Sequence, residues 1–258
     1  MRNLLPLVLV VVLLLGSSYP RDSYLDERTN TEIVFHTEGQ IFPKHWYNPK
    51  IDATVEALSP TERSRIITIL NRAFSKYPDH VLRRHLDRVY AFRFMKFYGI
   101  AFGGTNFSNT VYISDDESSP SYTDHYIEGV FHHEFSSILK RDFPKHLNLD
   151  AWELINEPFF VYGSGGVYAI RTGDASLALD ASLFESGFLT QYSMASVEED
   201  INVFAQHLFN SDPELWGIID TYPRLRRKAQ LLIGFYNRID PRFNETYFRR
   251  HIPYLAKR

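Results

Sequence analysis

The sequence predicts an α+β fold, with strands gathered in its first half and helices filling its second. Three observations carry this. Residues 89–114 are dense in aromatic and β-branched side chains and are broken by Gly103-Gly104. From Asp124 onward the apolar residues return to helical spacing almost to the end. The length of 258 residues, at 44% hydrophobic and 23% charged, is ample for the core of one globular domain. No repeat, low-complexity tract or Gly/Ser linker divides residues 19–258, so one domain with a loose lead-in is expected.

Taken in order, residues 1–18 read as a secretory signal. Arg2 is a short basic start, Leu4 to Leu15 is a twelve-residue apolar run, and Gly16-Ser17-Ser18 supplies small residues for cleavage. A bilayer-spanning helix needs about 20 apolar residues, so this run is too short to be one. Removing it takes away Arg2 alone among the charged residues and leaves a net charge of −4 on residues 19–258. An exported protein, whether periplasmic, cell-surface or secreted, is expected.

Ser59-Pro60-Thr61-Glu62 is a helix start, with a capping hydroxyl, proline at the first position and glutamate three residues after the serine. Ile66, Ile67, Leu70, Ala73 and Phe74 follow at helical spacing, and Tyr77-Pro78 stops the element. Residues 89–114 then predict short strands in a small, mostly antiparallel sheet. The second half reads as mainly helical.

Composition removes several functions. The formal charge of −3 argues against a nucleic-acid binder that works by neutralising phosphates. The absence of cysteine excludes disulfides, Cys-ligated zinc, iron–sulfur clusters and a thiol nucleophile. Chemistry must come from His, carboxylate, Ser, Thr or Tyr.

The segment from Tyr126 to Leu139 is the most informative. On a helical wheel Ile127, Phe131, Phe135, Ile138 and Leu139 fall within about 80° of one another. His133 and Ser137 lie together on roughly the opposite side, with Glu134 at the border nearest them. His132 points about 100° away from His133, so the two do not share one ion. An H-E-x-x-H helix holds two metal ligands at i and i+4, with the glutamate beside them as base for a metal-bound water. Here the stretch is His133-Glu134-Phe135-Ser136-Ser137, without the second histidine. The same residues also read as an amphipathic helix whose polar face carries His-Glu.

A second segment, residues 187–206, reads as a strand-like lead-in, a Ser196 cap with Glu199 three residues on, and another helix. Glu199 lies roughly opposite the stripe of Val197, Ile201, Phe204 and Leu208, with Asn202 and Gln206 near it. Together, Phe102-Gly-Gly-Thr105 through Val111-Tyr-Ile113, His132 to Leu139, and Gly187 to Tyr192 with Ser196 to Asp200 resemble the zinc-binding metallopeptidase family of exported bacterial proteins. These are zincin-like proteins of the glutamate-ligand type. The resemblance covers most of residues 55–210. It implies a single zincin-like α+β domain with an active-site helix over a small sheet. It also implies zinc held by His133 and Glu199, with Glu198 and Asp200 as rivals for the acidic role, and Glu134 as catalytic base. The family's second histidine falls on Ser137, and either Ser137 or a second water would fill the gap.

Tyr192, seven residues before Glu199, suits either polarising a substrate carbonyl or packing in a strand. Gly163-Ser-Gly-Gly166 lacks the setting of a phosphate loop and reads as a flexible loop. His207 reads as a surface or capping histidine, and Arg224, Arg226, Arg227 and Lys228 as a solvated helix face. The function expected is hydrolysis of a peptide or protein substrate by a metal-activated water. The rival is an exported binding protein that keeps the fold without the catalysis. The resemblance implies, for either, a setting near an outer-membrane nutrient-uptake system.

Overall fold

The computed structural model describes residues 22–116, 118–212 and 214–250. The secretory signal read in residues 1–18 lies outside them. The chain opens with an antiparallel pair, β1 (Ser23–Asp26) and β2 (Thr31–Val34), followed by β3 (Thr54–Glu56). Helix α1 (Pro60–Ser75) starts at the anticipated capping box. Ser59 Oγ accepts from the Glu62 amide at 3.3 Å, and the Ser59 amide donates back to Glu62 Oε2. After α2 (Asp79–His85) come β4 (Arg88–Phe92), β5 (Phe94–Phe97), β6 (Ile100–Ala101), β7 (Gly104–Phe107) and β8 (Thr110–Ser114).

The strands form two sheets, one ordered β1-β2-β4-β8-β7 and the other β3-β5-β6. Among the described residues four of the six ladders are antiparallel; the two parallel ones, β2 with β4 and β4 with β8, lie at the centre of the larger sheet. A parallel centre requires cover on both faces, and the alternation supplies it. Ile33, Val89, Ala91, Val111 and Ile113 pack with the helices on one face. Val34, Tyr90, Phe92 and Tyr112 pack on the other face with Phe42, Met95 and Phe97.

The rest is helical: α3 (Asp124–Asp142), α4 (Leu149–Glu153), α5 (Gly166–Thr172), α6 (Val197–Asn210), α7 (Leu215–Thr221), α8 (Pro223–Ile239) and α9 (Glu245–Arg249). Among the described residues no helix is long and apolar enough to cross a membrane. Thr123 caps α3 by accepting from the Tyr126 amide at 3.1 Å. The predicted stripe of Ile127, Phe131, Phe135, Ile138 and Leu139 is fully buried in the helix-side core. On its other flank α3 packs closely on α6. A Cβ at Gly129 would stand 2.7 Å from Asn210 Nδ2 and 3.0 Å from Gln206 Cγ.

Three local expectations are corrected. Residues 187–192 form no strand; they bend into a 3₁₀ turn over Tyr192–Met194. The outer strands of the larger sheet are β1 and β7, and Thr190 Oγ1 accepts from the Ser193 amide at 3.2 Å, closing a turn in place of a ladder. Lys228 is not solvated: fully buried, it donates to Asp200 Oδ2 and to the Gly187 carbonyl, each at 2.7 Å. His207 is also buried. Its Nδ1 pairs with Asp212, whose other oxygen lies 2.6 Å from His125 Nε2.

Candidate active site

Helix α3 carries His133, Glu134 and Ser137, and the first turn of α6 carries Glu198 and Glu199. Ser196 fixes that turn by accepting from the Glu199 amide at 3.1 Å. Where α3 and α6 meet beside β7, the chain leaves a cleft of about 370 Å³. All five side chains line it, with Asn106, Tyr126 and Tyr192.

His133 and Glu199 face each other, with His133 Nε2 2.9 Å from Glu199 Oε2. The Tyr192 ring stacks on the His133 ring at 6.1 Å between centroids, and its hydroxyl and Glu199 Oε1 both crowd Gly166. The two rivals for the acidic position are committed elsewhere. Glu198 accepts from Ser137 Oγ and lies 3.4 Å from Lys140 Nζ. Asp200 points into the core, where Trp152 Nε1, Tyr162 Oη and Lys228 Nζ all donate to its Oδ2. His132 is separate from the cleft. It is fully buried, with Nδ1 3.0 Å from Tyr77 Oη, and burial lowers its pKa to about 4, so it stays neutral.

Burial pushes the Glu134 carboxyl up to about 7, and the nearby Glu199 and Glu198 charges add to the rise against the pull of His133 and Asn106. For His133, burial disfavours the cation. The hydrogen bond and charge of Glu199, with Glu134 and Glu198 beyond, outweigh this and raise its pKa. Glu198 is lowered: burial works against its charge, but Ser137 and Lys140 hold it ionised. Burial and the flanking carboxylates raise the Tyr192 phenol, which keeps its proton and acts as a donor.

Two contributors were not found in the sequence. Asn106 Nδ2 donates to Glu134 Oε2 at 2.8 Å, while its Oδ1 accepts from Arg141 at 3.2 Å. The arginine, which only donates, fixes the orientation of the amide. Strand alternation places Asn106 on the same face as Gly104, but only the packing of α3 along β7 brings Glu134 there. The second is the glycine loop, which is tied down. The Gly163 and Gly165 amides donate to the Met194 and Ala195 carbonyls at 2.9 and 2.8 Å. Gly166 lies so close over the site that a Cβ there would collide with Glu199 Oε1 and the Tyr192 hydroxyl.

A catalytic zinc takes three protein ligands and keeps one position open. The donors here do not fit that requirement. His133 and Glu199 converge, but Ser137 turns its hydroxyl to Glu198, and a hydroxyl is a weak zinc ligand beside imidazole. Among the described residues no group of three or more His, Asp or Glu is placed to hold one metal ion.

No protein-family model matches the chain, and no curated protein matches it. Among solved structures it is similar to a "putative zinc-binding metallo-peptidase" from Bacteroides caccae. The TM-score is 0.52 at 14% identity, covering 76% of each chain. Likeness at that identity shows the fold alone, which is metallopeptidase-like and α+β.

Proposed function

We propose that the chain is a peptide-binding protein that keeps a metallopeptidase-like cleft without peptidase chemistry. The observation that carries this reading is the Ser137–Glu198 hydrogen bond, which leaves His133 and Glu199 as the two strong donors that face each other among the described residues. The ligand class follows from β7. It is an outer strand of its sheet and runs along the cleft, so its free backbone groups suit pairing with an extended chain. The apolar run of residues 4–15 supports an exported setting for such a protein.

A second reading, hydrolysis of the bound peptide, draws on Glu134. A buried carboxyl raised to about 7 beside His133 suits proton transfer near neutral pH. Zinc titration of the purified protein separates the two. The binding reading expects no tight stoichiometric zinc, together with retention of unstructured peptides on immobilised protein. Stoichiometric zinc with peptide cleavage that Glu134→Gln abolishes would overturn it.

A further inference from the structure

We propose that a second pocket, on the opposite face of β7, is the recognition subsite for an aromatic side chain of the bound peptide. This rests on the peptide-binding reading above and names what that peptide must carry. The pocket holds about 170 Å³ and is lined by Trp46, Ile51, Phe97, Tyr98, Phe102 and Thr105. It continues from the main cleft, because Phe102, Thr105 and Val167 line both.

The register of β7 gives the two pockets a common ligand. Gly104 and Asn106 pair with Ile113 and Val111, whose side chains face α3. Thr105 pairs with Tyr112, which belongs to the core on the other face. A chain laid along β7 as an added strand takes the same alternation. One side chain then turns toward His133 and Glu134, and its neighbour turns toward Trp46 and Phe97.

The chemistry of the second pocket selects that neighbour. None of its lining side chains is charged. Trp46 meets Phe97 edge-on at 5.3 Å, and Phe97 meets Phe102 edge-on at 5.3 Å, so the walls offer ring faces and edges to a further ring. A turn borders the pocket. Tyr98 and Gly99, between β5 and β6, have φ of 57° and 74°, the pair of positive values that a two-residue turn of this hand needs. A bulky residue in that conformation is strained. The Tyr98 amide donates to the Ile51 carbonyl at 2.6 Å, which ties together two of the lining residues. The Tyr98 ring lines the pocket and is 41% exposed.

The test uses capped octapeptides of alanine and threonine with a single phenylalanine walked through the sequence, titrated calorimetrically. At one register the phenylalanine peptide is expected to bind about tenfold tighter than its alanine counterpart, the yield of burying one large apolar side chain at an open-mouthed site. Phenylalanine one residue to either side is expected to give no gain. Trp46→Ala, which removes an aromatic wall of the pocket, and Ile51→Trp, which fills it, should each bring the ratio close to one. In the unaltered protein the favoured peptide should also change the tryptophan emission through Trp46, since Trp152 and Trp216 are buried elsewhere. Peptides that bind with no preference for phenylalanine at any position, or a preference that survives both variants, would overturn the subsite alone. A protein that binds none of the peptides would overturn the peptide-binding reading and the subsite with it.

Discussion

Replacing Ser137 with histidine should turn the cleft into a zinc site. Position 137 lies one helical turn, about 5.4 Å, beyond His133 on the same face of α3. It lines the same cleft as His133 and Glu199, so an imidazole there grows into open space. The substitution removes the hydrogen bond from Ser137 to Glu198, a bond to a charged group worth about 1.5–3 kcal/mol. Lys140 remains 3.4 Å from that carboxylate and limits the loss. The His133–Glu199 hydrogen bond must open to admit an ion in both proteins, so its cost cancels in the comparison. A third strong ligand in a formed site should then raise zinc affinity at least tenfold, about 1.4 kcal/mol. Titration calorimetry on the unaltered protein, on Ser137→His, and on Ser137→His with Glu199→Ala measures this. Equal affinity for the first two would refute the placement of position 137. A gain untouched by Glu199→Ala would refute Glu199 as the facing carboxylate.

Three further outcomes follow from the same geometry. Glu134 keeps its proton to about pH 7 in the fold and releases it near 4.5 when unfolded, so it should cost stability progressively as pH rises between those values. Glu134→Gln should remove that slope, and urea midpoints at pH 5 and pH 8 that differ equally for both proteins would refute the burial argument. Lys228→Met leaves Asp200 charged and buried, which should cost about 3–5 kcal/mol, part of it recovered by adding Asp200→Asn. A loss below about 1 kcal/mol in urea unfolding would show that the buried pair contributes little to the fold. Gly166→Ala should push the start of α5 away from Glu199 and Tyr192 and weaken peptide binding several-fold at unchanged thermal stability; unaltered affinity would remove that loop from the cleft.

Much of the fold was legible because it rests on local chemistry. The Ser59–Glu62 capping box and the buried stripe of α3 follow from residue type and spacing alone. The pairing of His133 with Glu199 was implied only by the family resemblance, with Glu198 and Asp200 as rivals, and the 2.9 Å contact comes from the packing of α3 on α6. What the sequence concealed depends on partners distant along the chain. Lys228 sits among arginines, and only its pairing with Asp200, 28 residues earlier, makes it a core residue. Residues 187–192 have strand composition, but the turn closed by the Ser193 amide on Thr190 Oγ1 takes their backbone out of any ladder. Asn106 and Gly166 act through contacts with Glu134, Glu199 and Tyr192 that no periodicity encodes.

On the proposed function, this cleft holds extended peptides and leaves them intact. The direct measurement incubates the purified protein and equimolar zinc with a mixed peptide library, then identifies retained and released peptides by mass spectrometry. A subset is expected to be retained at full length, with aromatic residues over-represented among it. Accumulation of new peptide termini, lost in Glu134→Gln, would contradict it.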